Sequence, residues 1–369
     1  LLKIAKEADF DDYIALYDSE QYFLNLDFGS ACDRVREQIG SLDDVYWQRA
    51  LIFCQSKNNE IEAASLGLDL LRESGEATDT FTALVNEMNR FRSANIKSLT
   101  APSLLSVAML RNLGMEIPLD AIKTNNPALL RLIAGAEGSD MALRLKAAEK
   151  AEAIGALPAA SVGALYEKVT FISDKVAEPL SQSMKEKPPL GRALLYQATL
   201  SESLPIARAE ILATALRGAQ KTGSFPTMAR VLLPAIKTIF ASPEFAWFAN
   251  DAGRAFFTDA QHWEEARKWY ELALSQRDNN RDAFEAAVSL WPLIALTEGT
   301  ETINSEMLDL WWGVKKNGDS INPDNYHNAN LLFTLLSSLG YKIPDNHWDR
   351  LLGGPLSEPN SVISTALYH

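Results

Sequence analysis

Apolar residues recur three and four positions apart through nearly all of this chain, and that spacing restricts it to helices. VYWQRALIFCQ (45–55), AASLGLDLLRE (63–73), FTALVNEMNRF (81–91) and MALRLKAAEKAEAI (141–154) all follow it. So do IARAEILATAL (206–216), MARVLLPAIKTIF (228–240) and NANLLFTLLSSL (328–339). Sustained alternation of Val, Ile and Thr, which a half-buried strand needs, is missing. The pattern predicts an all-α protein.

Gly and Pro fall mostly between these runs, as breakers should. LLSVAMLRNLGMEIP (104–118) ends a helix at Gly114, continues with Met115 and opens the next element at Pro118. NLLFTLLSSLGYKIP (330–344) repeats the device with Gly340, Tyr341 and Pro344, and AEKAEAIGALP (148–158) with Gly155, Ala156 and Pro158. A Gly past the last turn can take the left-handed conformation, and the following apolar residue can pack back on the helix. Pro then suits the first turn of the next helix. The repetition fits helix hairpins of related construction, and equally fits independent convergence on a good stop signal. Polar, Pro- or Gly-bearing seams occur at SANIKSLTAPS (93–103), MKEKPPLGR (184–192) and TEGTETINSE (297–306). They suggest four consecutive segments: an acidic helical one (1–96), an Ala-rich one (97–186), a run of helix pairs (187–300) and a C-terminal cap (301–369). The end of that cap, GGPLSEPNSVISTALYH (353–369), is expected to be loosely held.

AGRAFFTDAQHWEEARKWYELAL (252–274) carries more apolar surface than one hairpin can hide. In its second helix Trp263, Ala266, Tyr270, Ala273 and Leu274 share one face, while Trp269 and Leu272 lie off it. In the first, Ala252 and Gly253 leave room for a neighbouring backbone, and Phe256 and Phe257 add bulk. The order resembles the tetratricopeptide repeat, in which Leu-Gly and an aromatic in one helix precede Ala, an aromatic and Ala in the next, with Ala252 here in place of the Leu. Ala252–Gly253, Phe256, Ala266, Tyr270 and Ala273 occupy those places. The turn is one residue longer, and Asp278 stands where the family closes on Pro. Weaker echoes lie at 47–71 and 194–216, without the family's period of about 34 residues. The resemblance implies an α-α superhelix, a solenoid of antiparallel hairpins in which each pair is covered by the next.

The net charge of −13 is concentrated at the start: residues 1–100 hold 18 Asp or Glu against 10 Lys or Arg. Such a field opposes nucleic acid, whose binding rests on Lys and Arg neutralising phosphates, and disfavours an anionic membrane surface. No run approaches the roughly 18 apolar residues of a transmembrane helix.

Only two cysteines are present, Cys32 and Cys54, on predicted helices joined by the turn at Gly40–Ser41. An antiparallel hairpin brings them near each other, although their offsets from that turn differ by several residues. They are disulfide candidates, with two buried free thiols as the other reading. A bridge would imply an oxidising compartment such as the bacterial periplasm. The sequence opens on Leu1, so a preceding piece that carried any signal or anchor is expected.

The search for chemistry returns little. His262, His327, His347 and His369 have no second His or Cys at ligand spacing, so no metal site is expected. ADFDDY (8–13) lacks the spacing and closing Glu of a calcium loop. Nucleotide-binding and hydrolase motifs are missing, and no cofactor is expected. RESGEA (72–77) contains the Glu-Ser pair of lytic transglycosylases without their downstream segment, which leaves Glu73 as a lone candidate carboxylate. Seven of the eight tryptophans lie between 247 and 348. Trp247, Trp269, Trp311, Trp312 and Trp348 are the candidate partner-binding residues, because Trp anchors interfaces disproportionately. Adjacent Trp311 and Trp312 point about 100° apart on a helix, so one of them is expected to be poorly covered.

The expected function is therefore a non-catalytic scaffold that holds a protein or peptide partner within a bacterial cell-envelope assembly. The alternative is a glycan-cleaving helical superstructure with scattered catalytic carboxylates.

Overall fold

A computed structural model describes residues 11–38, 40, 44–298, 303–315 and 323–352. The fold is all-α: the described residues form helices that pack on their chain neighbours in a solenoid-like manner, and no strand occurs among them. The chain divides into two compact units, residues 1–197 and 198–369.

The first unit contains α1 (Asp11–Leu24), α2 (Phe28–Gln38), α3 (Val45–Lys57), α4 (Ile61–Glu73), α5 (Asp79–Met88) and α6 (Leu104–Asn112). They are followed by α7 (Pro127–Ala134), α8 (Met141–Ala153), α9 (Ala159–Glu167), the short α10 (Ser173–Ala177) and α11 (Pro179–Ser183), and the first part of α12 (Pro188–Ser201). Helix starts follow from local chemistry. Asp44, Thr78, Asn126 and Asp140 each accept a hydrogen bond from a first-turn N–H, and Ser103 with Ser106 closes a capping box. Consecutive helices α1 to α4 and α5 to α9 pack pairwise, and α3 reaches α5. Longer-range contacts also occur: α1 lies against α6 and α7.

Gly114 and Gly340 adopt φ of +66° and +91°, the left-handed conformation that a side chain resists. The N–H groups of the residues that follow, Met115 and Tyr341, donate back to the carbonyls of Leu110 and Leu336 at 2.9 and 3.0 Å. Gly155 makes the same stop, with Ala156 N–H on Ala151 O at 2.7 Å. Tyr341 is then buried, and its hydroxyl donates to the carbonyl of Ala295.

A disulfide joins Cys32 of α2 to Cys54 of α3, with Cα atoms 5.4 Å apart and both residues buried. The offset anticipated from the turn at Gly40 shrinks because α2 stops at Gln38 and α3 starts only at Val45. Measured from those ends, Cys32 is six residues away and Cys54 nine, which leaves an offset of three residues.

The second unit contains α13 (Pro205–Lys221), α14 (Phe225–Ile236), α15 (Ala249–Phe256), α16 (Trp263–Gln276), α17 (Arg281–Glu298), α18 (Ser305–Lys315), α19 (Pro323–Ser338) and α20 (Asp345–Leu352). Here the surplus apolar surface of 252–274 finds its cover. Helix α16 packs against α15, α17 and the 3-10 turn Pro243–Phe248, so Ala266 and Tyr270 on one side and Trp269 and Leu272 on another are all buried. Phe248 meets Trp269 edge-on, with ring centroids 5.7 Å apart. Gly253 lets α17 approach α15: a Cβ there would lie 2.6 Å from Leu290 Cδ1. Trp263, expected on the covered face, is instead exposed at the first turn of α16.

Candidate functional site

The tryptophans singled out by the sequence occupy different environments. Trp269 is buried between its neighbouring helices, and Trp247 and Trp348 are half-buried. Trp311 and Trp312 are 5% and 9% exposed, so neither is poorly covered. Trp312 is covered by α19, whose Phe333 stacks on it with centroids 5.8 Å apart and planes at 28°. Trp348 of α20 meets the same Phe333 edge-on at 5.3 Å. These aromatics form the interior of the C-terminal helices. His347 lies in the same cluster, its Nε2 2.8 Å from Asp309 Oδ1.

The apolar surface that remains open in this region belongs to leucines. Helix α19 buries Ala329, Leu332, Phe333 and Leu336 on one side. On the other, Leu331 and Leu335, with Leu339 just past the end of the helix, follow one another at a spacing of four and are 44%, 41% and 54% exposed. A helix that is apolar on both sides has one side left for a further contact.

In the first unit a cavity of about 310 Å3, at the lower end of ligand-sized pockets, opens where the C-terminal end of α1 meets α6, α7, α8 and α9. Its aliphatic walls include Leu132, Leu157 and Leu165. Four cations line it: Arg111 near the end of α6, Arg131 on α7, Arg144 in the first turn of α8, and Lys168 just past α9. The lining contains a single carboxylate, Glu137. In a chain of net charge −13 this is a local inversion of sign.

Arg144 is the deepest of the four, 6% exposed. Its Nε donates to the carbonyl of Ala134 at 3.1 Å, and no carboxylate among the described residues lies within ion-pair distance of its guanidinium. The half-buried Arg111 donates from Nη2 to the carbonyl of Gly135 at 2.8 Å. Burial lowers the Arg111 pKa, Glu137 counters that effect, and the like charge of Arg144 adds to it. Arg131 and Lys168 are exposed at the rim. No local motif announces these residues: they come from α6, α7, α8 and the end of α9, and the packing of these helices on one another and on α1 brings them together.

The remaining candidates for chemistry stand apart. Glu73 is exposed at the end of α4 and is not among the residues lining the cavity. His262 contacts Lys237 Nζ through Nε2 at 2.7 Å, and His327 is exposed. Residues 8–10 of the acidic cluster, His369 and the tail 353–369 lie outside the described residues. Among the described residues no group of three or more His, Cys, Asp or Glu is placed to hold a metal ion, and no helix is long and apolar enough to cross a membrane. No protein-family model matches the chain, and no curated protein or solved structure matches it.

Proposed function

We propose that the chain is a non-catalytic, tetratricopeptide-like helical scaffold that holds a protein or peptide partner in a bacterial cell-envelope assembly. The observation that carries this reading is the open face of α19, where Leu331, Leu335 and Leu339 form an apolar ridge backed by the fully buried Phe333 and Leu336. A ridge of leucines one turn apart on a braced helix suits an amphipathic partner segment, which would cover it as another repeat would. The tryptophans contribute by holding that helix in place. The Cys32–Cys54 bridge supports an oxidising, extracytoplasmic location, since such bonds are rare where thiols are kept reduced.

The test places a photo-crosslinking residue at position 335 in full-length protein in its native host. A discrete adduct that disappears in Leu331→Ser/Leu339→Ser protein of unchanged helicity is the expected result. Crosslinking only to solvent or to scattered abundant proteins would remove the basis for this face.

A further inference from the structure

We propose that the cavity between α1, α6, α7, α8 and α9 is a binding site for a small organic anion of charge two or more, in which carboxylate or phosphate-ester oxygens are carried on a short aliphatic frame. The site is independent of the α19 ridge, so either reading can fail alone.

Arg144 is the strongest reason. An ionised guanidinium removed from water costs several kcal/mol unless opposite charge and hydrogen bonds compensate. Elsewhere in the same unit that requirement is met internally: Arg192 is buried to a similar degree and is matched by Glu149. Arg144 has one carbonyl at Nε and no carboxylate within ion-pair distance among the described residues, and it lines an open cavity. Arg111 stands close enough for the two charges to repel, an arrangement that stabilises nothing within the chain. An oxyanion between them relieves both, because a guanidinium fork matches two oxygens at once.

The lining also defines the size and charge of the occupant. Four cations against Glu137 leave a formal excess of three positive charges, which suits a dianion or trianion better than a monoanion. Arg131 and Lys168 at the rim can reach a second anionic group while Arg144 and Arg111 hold the first. Between them Leu132, Leu157 and Leu165 present aliphatic surface that a bare inorganic ion would not use. The cationic lining attracts a small anion that fits inside the cavity, while the negative charge over the rest of the chain repels polyanions such as nucleic acid.

The proposal is tested by titration calorimetry on the full chain at low ionic strength, with citrate, glycerol 3-phosphate and inorganic phosphate as separate probes. Saturable one-to-one binding of citrate or glycerol 3-phosphate is expected, at least tenfold tighter than that of inorganic phosphate. Whichever organic probe binds more tightly identifies the headgroup as carboxylate or phosphate ester. Arg131→Gln/Lys168→Gln replaces only exposed side chains and should weaken that binding about tenfold with melting temperature unchanged. Arg144→Gln should abolish it, and the rim variant keeps the test decisive if that protein is unstable. Absence of saturable binding by either organic probe, equal affinity for inorganic phosphate, or binding indifferent to the rim substitutions would each overturn the assignment.

Discussion

Arg192 grips Glu149 with two parallel hydrogen bonds, Nε to Oε1 at 2.9 Å and Nη2 to Oε2 at 2.5 Å, and both residues are buried. The Tyr166 hydroxyl donates to the same Oε1 at 2.6 Å, so one carboxylate ties α8, α9 and α12 together. Burial first, and then the negative charge of Glu149, pushes the Tyr166 pKa well above the ordinary phenol value. For Arg192 burial acts in the opposite direction, but the bonds and charge of Glu149 prevail and raise its pKa. Removing one partner of such a pair leaves the other charge buried without compensation. Glu149→Gln is expected to cost about 3–5 kcal/mol in urea unfolding, whereas Glu149→Leu/Arg192→Met should come close to the parent. A double variant as unstable as the single one would mean that the pair contributes net stability.

The Cys32–Cys54 bridge closes a loop with a sequence separation of 22 between α2 and α3. Constraining the unfolded chain over that length stabilises by about 3 kcal/mol in the loop-entropy estimate. Cys32→Ala/Cys54→Ala should therefore lower the unfolding free energy by about that amount, and dithiothreitol should do the same to the parent and nothing to the variant. A parent midpoint insensitive to reductant under conditions that mass spectrometry shows to break the bond would contradict this.

Trp312 separates a structural role from a partner-binding one. Its stacking on Phe333 and its burial predict that Trp312→Ala opens a cavity and costs about 3–5 kcal/mol. Leu335→Ser, on the open side of α19, should leave stability within about 0.5 kcal/mol and act on partner capture instead. Thermal unfolding of the two variants side by side decides the matter, and a Trp312→Ala protein as stable as the parent would return that residue to the surface.

What could be read from the sequence was what is local. Gly114, Gly155 and Gly340 disclosed their stops because the motif occupies a few consecutive residues, and the left-handed φ values follow from those residues alone. The exposure of a side chain depends on residues far along the chain, and there periodicity misled: Trp263 lies open and Trp311 and Trp312 lie closed. Adjacent residues on a helix do diverge, but α18 is covered by α17 and, through Phe333 on Trp312, by α19, so divergence does not imply exposure. The cationic cavity was illegible for the same reason. Arg111, Arg131, Arg144 and Lys168 form no spacing pattern, and a net charge of −13 averages them away.

Asp251 gives a pH-dependent prediction whose sign can be worked out. It is buried in the first turn of α15, where its Oδ2 accepts from Arg217 Nε at 2.9 Å. Burial raises its pKa above 3.8, against the hydrogen bond and charge of Arg217 and the charge of Arg254. A carboxyl whose folded pKa exceeds its unfolded one holds its proton more tightly in the native state. Its contribution is then fully present below about pH 4 and is lost as pH rises through the folded value. Asp251→Asn removes that titration and keeps an oxygen to accept from Arg217. The stability of the variant relative to the parent should thus be least favourable near pH 3, rise as pH climbs above about 4, and level off once pH has passed the folded value. Urea unfolding at several pH values measures this directly. A difference that stays flat, or that falls with pH, would mean that the Arg217 contact outweighs burial at this carboxyl.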